Sequence, residues 1–379
     1  MIDIVVIRSN AVVYSPRVRK IVKSLRKKYS TQVLGWNREG VSRETIENTV
    51  TKPKLLNLKA PFGRPSVIAY YPIFWVWIFI NLITTRPAAV HACDLDTVIP
   101  CYIYKFIFRK KLVFDVCDRY AMAYVSPRFR LLYSGINSFE ELFASHSDAL
   151  TTVGEKLLNT FQTRPGQEAV VMNCPDEEDT QQKKADSEGE HVLNVREANR
   201  DSKRIFTLVY TGNVVKSRGL ERISAAIKDL HNVKLIIAGR PVDRELLRIL
   251  LKSPNVEYIG LLQPVDALAL NSVSDAMIIL YDLRIVNNNF SMSNKLFEAM
   301  MCGLPVITNV STEIVGEQVC CGTIVDYDDL NAIKEAVTSL RDDPLLCQRL
   351  GNNGRRAFLQ KYNWGTMEQK LFAIYENLL

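Results

Sequence analysis

"FSMSNKLFEAMMCGLPVITN", residues 290–309, reads as a helix running straight into a strand. Leu296, Phe297, Met300 and Met301 fall at helical spacing and predict one apolar inner face. Ser293 or Asn294 stands where an N-cap belongs. Gly303 suits the position just past the last turn, and Pro305 cannot continue a helix. These features account for the helix and its ends. Neither Lys295 nor Glu298 is needed for any of them, so both are candidates for binding something.

Working outward, the same alternation recurs on both sides. Residues 206–210, 233–238, 256–259, 276–280, 305–308 and 322–325 read as strands with helices between them. An earlier set of strands is expected at 4–7, 31–34, 89–91, 112–115 and 149–152, with helices over 16–28 and 129–145. This rhythm predicts parallel sheets covered on both faces. Between the two sets, "PDEEDTQQKKADSEGEHVLNVREANRDSKR" (175–204) is charged, poor in aromatics and weakly periodic, as a linker is. At 379 residues two cores are the natural expectation. The boundaries expected are 1–174 for a first Rossmann-like domain, 175–204 for the linker, 205–360 for a second Rossmann-like domain, and 361–379 for a C-terminal helix crossing back to the first.

The composition is that of a globular chain, 47% hydrophobic and 23% charged. A formal charge of +7 does not by itself indicate nucleic acid; it suits an anionic lipid surface or a phosphorylated substrate. The eight cysteines show no paired CxxC spacing, which argues against a zinc site and for a reducing cytoplasm. The opening "MIDIVVI" reads as a buried strand carrying an acid and lacks the basic start of a secretory leader. "IAYYPIFWVWIFINLI" (68–83) is the most apolar stretch. It is shorter than the ~20 residues a membrane span needs. A helix buried against a sheet is the simplest reading, and a helix dipping into a bilayer surface is the other. "KFIFRKK" (105–111) follows and adds charge attractive to anionic lipid.

In open α/β sheets, ligands bind at the carboxyl ends of the strands. "YTGNVVKSRGLERI" (210–223) places Gly212 and Asn213 at such an end, with Arg218 just before the next helix. "IIAGRP" (236–241) repeats the arrangement with Gly239 and Arg240. A plain βα turn with a surface Arg would look the same at either place, but two successive strand ends carry the same chemistry. The helix start at Ser293, Asn294 and Lys295 adds backbone amides suited to a phosphate. Glu298, one turn further in, is placed to accept two hydrogen bonds from a vicinal diol such as a ribose. Together these features describe a nucleoside diphosphate.

"SMSNKLFEAMMCGLPVI" resembles the donor-site signature of the GT-B glycosyltransferases, particularly the retaining enzymes of family four. "VHACDLDTVIP" (90–100), "KLVFDVCDRY" (111–120), "SPRVRKIVKSL" (15–25) and "VVMNCPD" (170–176) are similar to further stretches of that family. The resemblance implies two Rossmann-like domains facing a cleft. It implies that Glu298 holds the donor ribose, that Ser291, Ser293, Asn294, Lys295 and Leu296 line the pyrophosphate and sugar, and that Gly212 and Arg218 match the pair that neutralises the leaving diphosphate. Asn213, Gly239 and Arg240 complete the donor-binding set. The catalytic candidates are Asp118, Arg218 and Lys295, with Asp118 facing the sugar from the first domain. The implied donor is a UDP or GDP sugar, with no metal and no other cofactor required. The implied acceptor is a glycan or polyprenyl-linked precursor, and no nucleic acid is involved. The implied location is cytoplasmic, peripheral on the inner face of the cell membrane.

Three positions depart from the family pattern. Phe290 stands where a second Glu is common, Asn213 where an Arg follows the first Gly, and Cys117 where an inward-facing His is usual. A thiol is a weak hydrogen-bond donor and does not replace imidazole. Two other readings of the same architecture stay open: a nucleotide-sugar epimerase, and a non-catalytic subunit that binds nucleotide sugar.

Overall fold

The computed structural model describes residues 2–13, 15–47, 51–61, 65–177 and 204–379; of the expected linker, 178–203 lie outside the described residues. The chain divides into two compact units, Met1–Asn173 with Met367–Leu379, and Cys174–Thr366.

The first unit runs β1 (Ile4–Arg8), α1 (Pro16–Leu25), β2 (Thr31–Trp36), α2 (Arg43–Glu47), β3 (Lys54–Leu56), α3 (Tyr71–Thr85), β4 (Ala89–Cys93), α4 (Leu95–Phe108), β5 (Lys111–Val116), α5 (Tyr120–Tyr124), α6 (Arg130–His146), β6 (Ala149–Thr152), α7 (Glu155–Leu158) and β7 (Glu168–Val170). Its sheet is parallel throughout, in the order β3-β2-β1-β4-β5-β6-β7. The chain leaves β1 in one direction along the sheet and returns to β4 in the other. Right-handed crossovers then put α1 on one face and α3, α4 and α6 on the opposite face. The near-continuous apolar runs of β1, β4 and β5 are what a sheet covered on both faces requires. β3 and β7, three residues each, are edge strands that the apolar pattern does not reveal.

Two elements of this unit differ from expectation in an informative way. The helix read as a basic one, α1, turns Arg17 inward. Its Nε lies 2.9 Å from Asp115 on β5, both side chains are buried, and its Nη1 donates to the Val171 carbonyl. Burial opposes the Arg17 charge, but Asp115 outweighs that and holds the group cationic; Arg17 and His91 in turn hold the Asp115 carboxyl well below the usual range against its own burial. The apolar helix α3 is not core all round. Phe74, Ile78, Asn81 and Leu82 are buried, while Ile73, Val76 and Ile80 are exposed. With the turn before it, the helix spans Ser66–Thr85, and only 22% of its most apolar window is buried.

The second unit runs β8 (Phe206–Thr211), α8 (Leu220–Ile227), β9 (Val233–Ala238), α9 (Arg244–Leu250), β10 (Val256–Tyr258), α10 (Pro264–Val273), β11 (Ala276–Ile279), α11 (Asn294–Cys302), β12 (Val306–Thr308), β13 (Gly322–Ile324), α12 (Leu330–Asp342) and α13 (Pro344–Gln360). The sheet order is β10-β9-β8-β11-β12-β13, again parallel. Leu208, Leu235, Ile237 and Ile278 lead its core. Gly303 ends α11 in a left-handed conformation, where the Leu304 N–H donates to the Ala299 carbonyl at 2.9 Å.

The C-terminal helix α14 (Trp364–Leu378) belongs to the first unit from Met367 onward. Its Tyr375 hydroxyl lies 2.9 Å from His91 Nδ1, Glu368 pairs with Lys27 at 2.8 Å, and Lys28 lies over the Phe372 ring.

Candidate functional site

The second unit gathers its polar residues at the carboxyl ends of β8, β9 and β11. Gly212 and Gly239 follow β8 and β9, with φ of 151° and 149°. Their loops are pressed together. The Gly212 N–H donates to Ala238, the Val214 N–H to Arg240, and a Cβ built on Gly239 would lie 1.9 Å from the Gly212 carbonyl oxygen. No side chain fits between them, so the paired loops present bare backbone.

Lys295, in the first turn of α11, lies over this floor. A Cβ on Gly212 would meet Lys295 Cε at 2.9 Å and Nζ at 3.1 Å. The ammonium is 5.1 Å from the Tyr210 ring centre and 5.9 Å from that of Tyr281. Arg218 places its guanidinium 3.7 Å over the same Tyr281 ring and donates to Asn288 Oδ1 at 3.3 Å. Two cations thus share one aromatic residue. Burial raises the Tyr281 hydroxyl pKa, but Lys295 and Arg218 outweigh it and leave the group below its ordinary value. Burial disfavours the Lys295 charge, yet the facing tyrosines raise its pKa overall, so it is an ammonium at neutral pH.

Tyr281 is itself fixed. Asn309, after β12, accepts from its N–H at 2.9 Å and donates to its carbonyl at 2.8 Å. The Tyr281 hydroxyl donates to Ser293 Oγ at 3.1 Å. That contact explains a departure from expectation: Ser293 occupies the N-cap position of α11, but its side chain makes no capping hydrogen bond. The helix start is therefore left without a side-chain cap beside two cations, an arrangement suited to an anion.

The sequence-derived residues divide accordingly. Gly212, Gly239, Arg218, Ser293 and Lys295 come together at this site. Asn213 and Arg240 stand on the two glycine loops with exposed side chains, and Asn294 is exposed at the helix start. Glu298 is half-buried one turn into α11, where its charge acts on Lys295. Leu296 departs from the expectation. Its side chain is 1% exposed in the core, and its N–H donates to the Ser293 carbonyl at 3.1 Å, because its helical phase points it at the sheet. Ser291 turns its hydroxyl to the Asn287 carbonyl at 3.0 Å. Tyr210, Tyr281, Asn288 and Asn309 were not singled out from the sequence. A polar or aromatic residue directly after an apolar strand, as in "IILYD" and "VITN", marks such positions.

The first unit has a strand-end cluster of its own. Arg8 at the end of β1 pairs with Asp94 after β4 at 2.7 Å, and Asp94 accepts from the Cys117 N–H at 2.8 Å. Burial pushes the Asp94 carboxyl up to about 7 despite Arg8. Asp94 has φ 65°, a strained value for a residue with a side chain. Asp118 follows, half-buried, and its charge raises Asp94 further. Cys117, in the position where the resemblance implies an imidazole, accepts from Arg8 at 3.4 Å; burial pushes its thiol up to about 12, with Asp94 adding to the rise. A protonated thiol is neither base nor nucleophile. Cys117→Ser is therefore expected to leave turnover within about threefold of wild type, as measured in steady-state assays. A loss beyond a hundredfold would give the thiol a direct part.

His91, Cys93 and Asp115 bring three potential ligand atoms within 4.8 Å of one another. Arg17 supplies the counter-charge to Asp115, Thr151 donates to it at 2.6 Å, and Tyr375 engages His91. The cluster is already neutralised and serves as a buried polar bridge.

Residues 194–357 match the family described as Glycosyl transferases group 1. That match lies within the second unit and covers less than half of the chain, and the two parallel α/β units have the GT-B fold. The chain is 25% identical over 186 residues to the capsular polysaccharide biosynthesis glycosyltransferase CapM of Staphylococcus aureus, covering 46% of this chain and 47% of that protein. The chain spans about half, or less, of the length of the curated relatives it matches. Among solved structures, sucrose-phosphate synthase (tll1590) from Thermosynechococcus elongatus superposes with a TM-score of 0.78 at 15% identity, over 100% of this chain and 99% of that one. Anabaena HepE in complex with UDP and glucose superposes with a TM-score of 0.74 at 13% identity, over the whole of both chains.

Proposed function

We propose that this protein is a retaining glycosyltransferase that takes a sugar from a nucleoside-diphosphate sugar. The acceptor is a glycan or a polyprenyl-linked precursor in cell-surface polysaccharide assembly, at the cytoplasmic side of the membrane. One observation carries the reading: Lys295 and Arg218 converge on Tyr281, above a bare glycine floor and beside a helix start without a side-chain cap. Similarity to CapM supports the polysaccharide setting, and the solved HepE complex supports a uridine nucleotide as donor.

Chemically, the bond between the anomeric carbon and a diphosphate oxygen breaks, and negative charge grows on the leaving group. Preorganised cations and backbone amides aimed at that charge make the largest contribution to such a reaction. Lys295, Arg218 and the amides at the start of α11 fill that role. The acceptor oxygen bonds to the anomeric carbon on the face the diphosphate leaves, and its proton passes to a leaving-group oxygen. Glu298 holds the ribose hydroxyls. Charge on the diphosphate is neutralised by side chains, so no metal is required.

Glu298→Gln tests the nucleotide end of the site. An amide replaces a carboxylate at nearly equal volume, and a hydrogen bond to a charged group contributes about 1.5–3 kcal/mol. Affinity for UDP or GDP, by calorimetry, is expected to fall ten- to a hundredfold with the melting temperature unchanged. Unaltered affinity for both would remove Glu298 from the site. Incubating the enzyme with radiolabelled nucleotide sugars and membrane extract then tests transfer itself. Label recovered in a lipid or glycan fraction supports the proposal, and label recovered only as an epimerised nucleotide sugar refutes it.

A further inference from the structure

Tyr281 stands two residues past β11, where the apolar strand gives way to a polar loop. It is 5% exposed, but its contacts go beyond the single hydroxyl partner that a buried tyrosine needs. β11 ends at Ile279 and β12 at Thr308, so Tyr281 lies past the ladder that joins them. The Asn309 side chain takes the ladder's place, bonding to both the N–H and the carbonyl of Tyr281. One residue further, the Asp282 N–H donates to the Ser217 carbonyl at 3.0 Å, and Asn288 Nδ2 donates to the Asp282 carbonyl at 2.8 Å. Asn288 in turn accepts from Arg218. The loop carrying Arg218 is therefore tied to the segment carrying Tyr281. On the ring itself, Arg218 and Lys295 are two like charges, and the negative face of an aromatic ring offsets part of their repulsion.

The hydroxyl does something separate. Ser293 has the extended backbone of an N-cap, with φ −73° and ψ 121°, directly before α11. A serine in that place ordinarily accepts from an amide of the first turn. This one does not, and it is buried with its oxygen bonded to Tyr281 instead. The backbone is ready for a cap and only the side chain is diverted. First-turn amides have no partner within their own helix, so those of α11 stay open beside Lys295.

Taking the site as the nucleoside-diphosphate site proposed above, we infer that Tyr281 is its positioning residue. The ring holds Arg218 and Lys295 together, and the hydroxyl keeps Ser293 from capping α11, so that the helix amides are free for the leaving phosphate.

Tyr281→Phe separates the two parts, because it keeps the ring and removes the hydroxyl. Ser293 then turns to the first-turn amides. In the nucleotide-free full chain, hydrogen exchange at the Lys295 amide is expected to slow about three- to thirtyfold, the range a serine cap spans. Affinity for whichever of UDP and GDP the wild type binds should fall by a similar factor in calorimetry. The melting temperature should stay within about 2 °C, since one hydrogen bond replaces another. Adding Ser293→Ala to Tyr281→Phe should restore fast exchange and most of the lost affinity. Tyr281→Leu removes the ring as well, and should bind about tenfold more weakly than Tyr281→Phe. Unchanged exchange in Tyr281→Phe, or an affinity loss that Ser293→Ala does not relieve, would overturn the proposal and leave Tyr281 a structural residue. Slowed exchange in a protein whose wild type binds neither UDP nor GDP would instead overturn the donor-site reading, and the role of Tyr281 with it.

Discussion

Gly239→Ala is expected to abolish saturable nucleotide binding and to lower the melting temperature of the second unit. The added Cβ would lie 1.9 Å from the Gly212 carbonyl oxygen and 2.6 Å from its carbon, where no real contact exists. Both atoms are backbone, so no rotamer change relieves the overlap. The residue also has φ 149°, which alanine adopts only with strain. Strain of about 1–3 kcal/mol and the displacement of the Gly212 loop together place the loss near ~3 kcal/mol, in the tail of single-substitution effects. At about 2–4 °C per kcal/mol for a domain of this size, the melting temperature should fall by roughly 6–12 °C. Nucleotide affinity should fall more than a hundredfold, because the floor under Lys295 has moved. Gly260→Ala separates the two causes: it has φ 86° but open space around its Cβ, so strain alone acts there. Equal losses from Gly260→Ala and Gly239→Ala would show that loop contact contributes nothing.

Lys295→Ala and Arg218→Ala should each lower kcat by about 10²–10³, the usual cost of removing one preorganised group that stabilises developing charge. The two cations lie on the same aromatic ring and repel each other, since Arg218 lowers the Lys295 pKa against the tyrosines that raise it. Their joint placement is costly without an anion and favourable with one, and most favourable with the extra charge of the transition state. The melting temperature without ligand should therefore move little in either variant, while the rise caused by saturating nucleoside diphosphate should shrink. Steady-state kinetics distinguish the roles. A rise in KM with kcat unchanged would make these residues holders of the donor rather than stabilisers of the leaving group.

The sheets were legible because buried parallel strands are apolar from end to end. Val5, Val90, Val209 and Ile278 could not sit elsewhere. β3 and β7 were not, since short edge strands pack on one side only and carry no such pattern. The glycine loops and Lys295 were legible from strand–turn–helix order. Tyr281 and Asn309 were missed: their place directly after an apolar strand marks them, but their role arises from hydrogen bonds across two strand ends. Arg17 misled for a related reason: in a helix rich in lysine and arginine, nothing local tells that one guanidinium faces a buried carboxylate 98 residues away. For α3 the apolar composition was plain, and which face is covered depended on the neighbouring helices.

Titration calorimetry of the wild-type chain with UDP and with GDP bears most directly on the site built by Gly212, Gly239, Arg218, Lys295 and Glu298. Saturable binding of one of them at one molecule per chain, lost in Gly239→Ala and weakened in Glu298→Gln, is the expected result. Absence of saturable binding by either nucleotide to the wild-type chain, or binding that Gly239→Ala leaves intact, would contradict it.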